Sequence, residues 1–355
     1  DVLATRGDAV QSAPACPYKG LDSYTEADRD YFFARESFQD LVVANLMASR
    51  LTVLYGPSGV GKSSLLQAGV MPLLRQAGEG AFSFLAVEDA IVVYCDSWRD
   101  DPLFELGNAL LRAVPTPEVV SDLLAEHPPL SVDLLQKVAT RCGADIYLLL
   151  DQFEELELYH TDASGEAFDL ELARIIKAPG LPVSVLIGVR DDALAKLDRL
   201  EPLVPRILDN KLRLDHLTQS EAREAIKQPL DRYNATVPPD EQVDIESALV
   251  EELLTQLKSG SVSLTDGGEV IVGGSDSVEA PYLQLVMTRL WAAEAEDDSR
   301  VMRLETLRRL GEAKQIVRTH LATVMAELTE EQREIAASVF HHLVTKSGTK
   351  SSHTA

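Results

Sequence analysis

The sequence predicts an α/β fold in its first part, with a parallel sheet between layers of helices, followed by an all-α part. Short, continuous apolar runs alternate with helical patterns up to about residue 215, which is typical of parallel strands buried on both faces. Beyond that residue, helical periodicity predominates. A chain of 355 residues is also too long for one modest core, so we expect two or three structural units.

Composition restricts the partners and the compartment. The net charge of −24 argues against nucleic acid or an anionic membrane surface as the main partner, because both are polyanions. No apolar run approaches the roughly 20 residues of a membrane-spanning helix, and no signal peptide begins the chain. The cysteines Cys16, Cys95 and Cys142 lack metal-ligand spacing and fit reduced thiols. We therefore expect a cytoplasmic protein.

The first residues are interpreted as a connection. Residues 1–15 are polar and aperiodic, as expected for a linker from an upstream domain. The chain starts with Asp1 rather than Met, so we expect a fragment of a longer protein. After a turn-rich segment at residues 16–21, one helical pattern runs from about residue 25 to residue 46.

A glycine-rich loop follows the first predicted strand. Residues 51–55 are apolar and β-prone, residues 56–64 read GPSGVGKSS, and helical periodicity follows. This arrangement fills every fixed position of the pattern G-x-x-x-x-G-K-[ST]. Gly56, Gly59 and Gly61 are expected to take positive φ, so that backbone N–H groups surround phosphate at the positive end of a helix dipole.

These residue types predict a bound nucleoside triphosphate with Mg²⁺. Lys62 would place a positive charge at the β- and γ-phosphates, and the Ser63 hydroxyl would bind Mg²⁺. The loop and the apolar runs together predict the three-layer parallel sheet of a P-loop NTPase. The residues expected to surround the phosphates are Gly56, Pro57, Ser58, Gly59, Val60, Gly61, Lys62, Ser63 and Ser64.

Acidic residues follow a later strand. Strands are predicted at residues 90–95 and 145–150, and the second ends in Asp151, which we expect to hold Mg²⁺ directly or through water. Either Glu154 or Glu155 could orient or deprotonate the attacking water. Alternatively, both begin a solvated helix, because acids are favourable in a first turn. Helical patterns separate the two strands at residues 103–114, 118–125 and 130–141.

An arginine ends the fourth predicted strand. This strand covers residues 181–189, after a helical pattern at residues 168–177. Arg190 could sense the γ-phosphate, or it could only pair with Asp191 or Asp192. The fifth predicted strand, at residues 210–215, begins N-K-L-R and lacks the final acid of the guanine-reading motif N-K-x-D, so nothing selects GTP.

The remainder of the chain is predicted to be mostly helical. Capping boxes at residues 218–221 and 329–332 begin two helices, and Pro281 lies in the first turn of another. Residues 261–264 and 269–272 are candidate hairpin strands. Helices are predicted at residues 219–233, 245–257, 281–291, 304–328 and 330–340.

Taken in order, these segments resemble the STAND class of P-loop NTPases, signal-transduction ATPases with numerous domains and a fold close to that of AAA+ proteins. The nearer likeness is to the bacterial novel STAND group, often attached to WD-type repeats. It covers residues 16 to about 350. The segments that carry it are CPYKGL at 16–21, FARE at 33–36, the phosphate loop, LDQFEE at 150–155, VR at 189–190, APYLQL at 280–285, LW at 290–291 and LVTKSGTK at 343–350.

The resemblance implies a division into domains. Residues 16–215 would form the nucleotide-binding domain and residues 216–328 a helical domain. Residues 329–355 would begin a winged helix that is incomplete in this chain. An effector domain upstream and a repeat sensor downstream are expected outside the chain.

The resemblance also implies roles for three residues. Arg190 would be the sensor arginine, and Pro281 would touch adenine. Arg35 would lie near the base, in a Gly-Arg-Glu motif whose glycine is replaced here by Ala34. From the residues alone, Arg35 and Glu36 could equally cap the base or stabilise a helix.

The function implied is an ATP/ADP-binding switch in bacterial signalling or defence, with slow Mg²⁺-dependent ATP hydrolysis. ADP would hold the domains closed, and a trigger with ATP would open them and drive self-association. The alternative is a continuously cycling AAA+-type motor that remodels a protein partner. Gln152 counts against that alternative, because most such motors carry a second acid there. A small-molecule phosphotransferase is a third hypothesis, without a visible acceptor site.

Overall fold

The centre of the molecule is a sheet of five parallel strands. A computed structural model describes residues 16–77, 90–258 and 276–343. The strands lie in the order β2-β3-β4-β1-β5, and the five predicted strands are confirmed. Their bounds are β1 (Leu51–Gly56), β2 (Ala90–Cys95), β3 (Asp145–Leu150), β4 (Val183–Arg190) and β5 (Lys211–Arg213).

The inner strands are buried on both faces. In β1, Val53 packs into one hydrophobic core and Leu54 into another, and in β3 the same holds for Leu148 and Leu149. Successive side chains of a strand point to opposite faces, so a continuous apolar run requires cover on both sides. The predicted three-layer α/β fold is confirmed.

Helices provide that cover. They are α1 (Glu36–Ala48), α2 (Lys62–Ser64), α3 (Met71–Ala77), α4 (Pro102–Ala113), α5 (Ser121–Glu126), α6 (Val132–Cys142), α7 (Leu156–Tyr159) and α8 (Ala163–Lys177). A π-helical segment, Leu65–Val70, joins α2 to α3 without interruption. Short 3-10 helices are Glu26–Tyr31, Pro117–Val120, Phe153–Glu155 and Asp191–Leu200.

The helical pattern predicted from residue 25 to residue 46 is interrupted. Glu26–Tyr31 forms a 3-10 helix, and α1 begins only at Glu36. Between them, Ala34 has a φ of 71°, in the left-handed region that a right-handed helix excludes. The prediction of one continuous helix is therefore wrong, because apolar periodicity on either side does not reveal a single left-handed residue.

A second hydrophobic core lies in the helical part. Its helices are α9 (Gln219–Asn234), α10 (Ser247–Gln256), α11 (Ala280–Glu296), α12 (Leu304–Arg309), α13 (Glu312–Glu327) and α14 (Glu330–Leu343). Two strand pairs support them: β6 (Leu217–Thr218) with β8 (Ser277–Val278), and β7 (Asp244–Ile245) with β9 (Val301–Met302). Tyr18 and Ala34 of the N-terminal segment also pack into this core. The domain boundaries themselves stay a prediction.

Two capping boxes are confirmed in the helical part. The Thr218 hydroxyl accepts a hydrogen bond from the Glu221 N–H, and the Thr329 hydroxyl accepts one from the Gln332 N–H. The helix predicted over residues 304–328 is divided at Gly311, whose φ is 86°. None of the helices in the described residues is long and apolar enough to span a membrane. Residues 1–15, the candidate hairpin strands at 261–264 and 269–272, and the winged helix beyond residue 343 lie outside the described residues.

A buried carboxylate in α11 depends on one arginine. The Glu294 side chain is 3% exposed, and the Arg303 guanidinium donates to its Oε2 through Nε at 3.1 Å and Nη2 at 2.6 Å. Burial by itself would raise the pKa of Glu294, but hydrogen bonds, first that from Arg303, outweigh it and hold this pKa below its ordinary value.

We expect Arg303→Leu to lower the free energy of unfolding by about 2 kcal/mol at pH 7, because a buried carboxylate loses its main partner. Urea unfolding followed by circular dichroism measures this loss. A lowered folded-state pKa stabilises the protein above the unfolded pKa, so the loss should shrink as the pH falls through the glutamate range. The control is Arg223→Leu, which breaks an exposed pair with Glu251 and should cost under about 0.5 kcal/mol. A loss independent of pH would contradict the assignment.

Candidate functional site

The glycine-rich loop leaves the carboxyl end of β1 and leads into α2. Gly59 and Gly61 have φ values of 75° and 96°, so the prediction of positive φ is confirmed at these two positions. It is wrong for Gly56, whose φ is not positive. A Cβ atom on Gly56 would lie 2.2 Å from the carbonyl oxygen of Leu214, so glycine is needed there for the close approach of the chain after β5.

Lys62 is held over the loop by its own backbone. Its Nζ donates to the carbonyl oxygens of Gly56 at 2.9 Å and Pro57 at 3.0 Å. Burial lowers the pKa of Lys62, while the nearby carboxylates of Glu154 and Asp151 act in the opposite direction. A half-buried ammonium at a phosphate loop is a ready counter-ion for a polyphosphate chain.

Asp151 faces the phosphate loop from the end of β3. Its side chain is fully buried. Oδ2 accepts hydrogen bonds from the Ser63 hydroxyl at 2.6 Å and from the Tyr94 hydroxyl at 2.9 Å, and Oδ1 accepts one from the Gln152 N–H at 2.9 Å. The structure thus brings together the two predicted Mg²⁺ ligands, Ser63 and Asp151.

This donor set fits Mg²⁺. The cation prefers hard oxygen ligands and takes one or two protein groups together with substrate phosphates and water. The Ser63 hydroxyl and the Asp151 carboxylate lie 2.6 Å apart beside the phosphate loop, and both are oxygen ligands of the kind that Mg²⁺ prefers. Among the described residues, no group of three or more His, Cys, Asp and Glu side chains could hold a metal by itself.

Glu154 and Glu155, between which the sequence did not decide, have different contacts in the structure. Both line the cavity, but only Glu154 has a described contact with β4: its Oε2 accepts a hydrogen bond from the Arg190 N–H at 3.2 Å. Burial raises the pKa of Glu154, and Lys62 and Arg190 partly oppose this effect. A partly desolvated carboxylate near Lys62 has the environment of a general base.

Arg190 is paired within its own segment. Its Nε donates to Asp192 Oδ1 at 3.0 Å, and its Nη2 donates to Asp192 Oδ2. The pairing with Asp192 that the sequence analysis considered is therefore present, and both residues line the cavity. Sensing of the γ-phosphate by Arg190 stays a prediction.

The helical part completes the cavity, whose volume is about 690 Å³. Pro281, at the start of α11, packs so close to the loop that a Cβ on Gly59 would lie 3.1 Å from its Cγ. Arg35 is 8% exposed and donates to the carbonyl oxygen of Asp215 at 2.7 Å and to Glu221 Oε1 at 3.4 Å. The predicted residues that line this cavity are Arg35, Ser58, Gly59, Val60, Gly61, Lys62, Ser63, Ser64, Asp151, Glu154, Glu155, Arg190 and Pro281.

Sequence reasoning missed three contacts at the cavity. The Tyr24 N–H donates to Ser64 Oγ at 3.1 Å, and the Tyr24 hydroxyl donates to Gln284 Oε1 at 2.9 Å. The Tyr94 hydroxyl donates to Asp151, as described above. Tyr94 belongs to an apolar strand run and is indistinguishable there from a core aromatic; its position near the carboxyl end of β2 was the only available signal.

Nearly the whole sequence matches one known protein family. A sequence model described as Novel STAND NTPase 1 matches residues 17–355. The chain belongs to this family. This STAND NTPase is therefore a nucleotide-binding protein and a nucleoside triphosphate hydrolase, as the sequence predicted. No curated protein matches the sequence.

Solved structures show the same fold. The ORC2 protein of Aeropyrum pernix, in ADPNP–ADP complexes, has a TM-score of 0.53 at 13% identity, over 79% of this chain and 67% of that protein. The ORC1 protein of the same organism, in complex with DNA, has a TM-score of 0.52 at 17% identity, over 88% and 73%. A Walker-type ATPase of Pyrococcus abyssi has a TM-score of 0.51 at 15% identity, over 91% and 80%. The AAA+-like fold predicted for this STAND NTPase is thereby confirmed.

Proposed function

We propose that this STAND NTPase is an ATP/ADP-controlled switch that hydrolyses ATP slowly with Mg²⁺. The observation that carries the proposal is the composition of the cavity wall. The wall is formed both by the phosphate loop and by Pro281 and Gln284 of α11. A nucleotide bound there contacts both the α/β part and the helical part of the protein. The presence or absence of the γ-phosphate can therefore change how these two parts pack against each other.

Each group has a proposed part in this function. Backbone N–H groups of residues 58–64, which line the cavity, and the Lys62 ammonium bind the phosphates. Ser63 and Asp151 hold Mg²⁺, which neutralises charge on the phosphate oxygens when bound. Glu154 accepts a proton from the attacking water, and Arg190 senses the γ-phosphate. Glu155 is a second candidate for the water, as the sequence analysis left it.

The base is proposed to lie between Arg35 and Pro281. Both residues line the cavity, and Arg35 uses two of its N–H donors on Asp215 and Glu221. The choice of adenine is supported by the ORC2 protein of Aeropyrum pernix, which was solved with ADPNP and ADP. The roles in bacterial signalling or defence, self-association, the cytoplasmic location, and the effector and sensor domains outside this chain belong to the same proposal and rest on the family resemblance.

The switch is tested by turnover and by domain distance. We expect purified protein to retain ADP and to turn over far below one ATP per second. Spin labels at Lys137 in α6 and Lys227 in α9, in a variant lacking the three native cysteines, measure the distance between the parts. A distance distribution that differs between ADP and a non-hydrolysable ATP analogue supports a switch. Identical distributions, with fast hydrolysis stimulated by a protein substrate, would favour the AAA+-type motor instead.

Asp192 is expected to weaken the sensing of ATP. Its carboxylate occupies the Arg190 guanidinium, so it competes with a γ-phosphate for the same donors. We expect Asp192→Asn to raise the affinity for ATP relative to ADP by up to about fivefold, which corresponds to the ~1 kcal/mol upper end of the range for an exposed ion pair.

Titration of both nucleotides by calorimetry at low and high salt measures this ratio, whose change should diminish at high salt. Asp122→Asn is a matched control, because Asp122 forms a similar two-point pair with Arg141, and neither residue lines the cavity. An unchanged ratio in Asp192→Asn would show that Arg190 does not sense the γ-phosphate.

A further inference from the structure

Two consecutive hydrogen bonds connect Gln67 to Tyr94 of β2 and Tyr94 to Asp151. Tyr94 lies next to the last residue of β2, opposite Leu149 of β3. Its hydroxyl donates to Asp151 Oδ2 at 2.9 Å and accepts a hydrogen bond from Gln67 Nε2 at 3.0 Å. Gln67 belongs to the π-helical segment after α2, on the same helical run as Ser63.

The donor from Gln67 fixes the direction of the phenol. A tyrosine hydroxyl has a single hydrogen, which can point to only one acceptor. Because Gln67 donates to the phenol oxygen, the phenol hydrogen points to an acceptor; Asp151 Oδ2 accepts it at 2.9 Å, and the Asp96 carboxylate lies near the same hydroxyl. Burial raises the pKa of Tyr94, and the charges of Asp151 and Asp96 raise it further, so the group stays a neutral donor at neutral pH.

The Asp151 carboxylate is fixed on its other sides as well. Oδ1 accepts from the Gln152 N–H, and a Cβ on Gly188 would lie 2.8 Å from this oxygen, so β4 closes that side. Ser63 approaches Oδ2 from the phosphate loop, while Tyr94 approaches it from β2. Without Tyr94, the Ser63 hydroxyl would be the only donor to Oδ2 among the described residues, and Ser63 is the other group proposed to hold Mg²⁺.

We propose that Tyr94, directed by Gln67, is a positioning residue that fixes Asp151 and thereby sets the affinity of the site for Mg²⁺. The inference rests on the proposed role of Ser63 and Asp151 in holding the cation. Groups that orient a metal ligand from behind typically change metal affinity by about tenfold to 100-fold when they are removed. Tyr94 acts through Asp151 and is not itself placed on the nucleotide.

The test separates metal affinity from nucleotide affinity. Binding of a fluorescent ATP analogue is measured in EDTA and then across a Mg²⁺ titration, and direct Mn²⁺ binding is followed by electron paramagnetic resonance. We expect Tyr94→Phe to raise the half-saturating Mg²⁺ and Mn²⁺ concentrations by about tenfold, with the affinity in EDTA within twofold of wild type. Gln67→Met, which leaves the phenol free to turn away, should shift the metal affinity in the same direction by a smaller factor.

Tyr147→Phe is the matched control. Tyr147 is a buried phenol on β3, opposite Val92 of β2, and packs in the same core as Val92. This variant should leave both titrations unchanged. Equal metal affinities in Tyr94→Phe and wild type would overturn the inference, as would a loss of the same size in EDTA, which indicates a role in packing alone. A wild-type protein whose nucleotide binding does not respond to Mg²⁺ would overturn the metal assignment of Ser63 and Asp151 together with the inference.

Discussion

Replacing Lys62 by alanine is expected to weaken ATP and ADP binding by about 1,000-fold, or about 4 kcal/mol. The ammonium is half-buried over the loop and would lie beside the β- and γ-phosphates, where a charge-assisted contact is strong. Alanine removes the charge and also frees the Gly56 and Pro57 carbonyl oxygens that Nζ now contacts. Equilibrium titration with a fluorescent nucleotide measures the loss.

The fold should survive this change. Lys62 lies at the start of a helix, where alanine is well tolerated, so thermal unfolding without nucleotide should remain close to wild type. Lys137→Ala is the control: it removes an exposed lysine that pairs with Asp133 in α6, and nucleotide affinity should stay within twofold of wild type. Retention of full affinity in Lys62→Ala would show that the cavity does not bind phosphate at the loop.

Glu154→Gln is expected to lower the rate of ATP hydrolysis by about 100-fold to 1,000-fold while nucleotide binding is kept, because the amide cannot accept a proton from water. Single-turnover measurements isolate this step from product release. Glu155→Gln is the matched control and should remain within about threefold of wild type. The reverse pattern would transfer the role to Glu155.

The raised pKa of Glu154 fixes the sign of the pH dependence both of ATP hydrolysis and of stability. Burial raises the pKa of Glu154, so wild-type activity should fall on the acid side at a higher pH than an ordinary glutamate would give, and Glu154→Gln should lack this fall. A raised folded-state pKa also means that stability is lost as the pH rises above the unfolded glutamate value. Glu154→Gln should therefore be slightly more stable than wild type at pH 7, by up to about 1 kcal/mol, in the nucleotide-free protein. Lower stability at pH 7 would contradict the burial of a charged carboxylate.

How much of the site the sequence predicts differs from one residue to the next. Ser63 and Asp151 are 88 positions apart, yet their contact at 2.6 Å was predictable, because carboxyl ends of parallel strands meet at one edge of the sheet. Glu154 and Glu155 could not be separated from sequence. Their directions depend on the 3-10 turn Phe153–Glu155 and on Gln152 at a φ of 50°, and neither feature has a pattern of its own.

The backbone conformations of the loop glycines, and of Ala34 where the family motif has glycine, were the least predictable. The three loop glycines satisfy one motif for two different reasons, positive φ at Gly59 and Gly61 and close approach to Leu214 at Gly56. Ala34 takes a left-handed φ that local sequence does not favour, in the segment that precedes the buried Arg35. Such positions are decided by neighbours that lie far away in the chain.

The amino-acid sequence by itself determined the parallel sheet, the phosphate loop and the acid at the end of β3. These features depend on short-range periodicity and on a motif whose chemistry requires fixed residue types. The tertiary structure alone decided that the Tyr24 hydroxyl meets Gln284, 260 positions later, and that Tyr94 holds Asp151. The physical reason is that a hydrogen bond between distant segments is selected by the packing of the elements that carry it, and packing leaves no periodic mark in either segment.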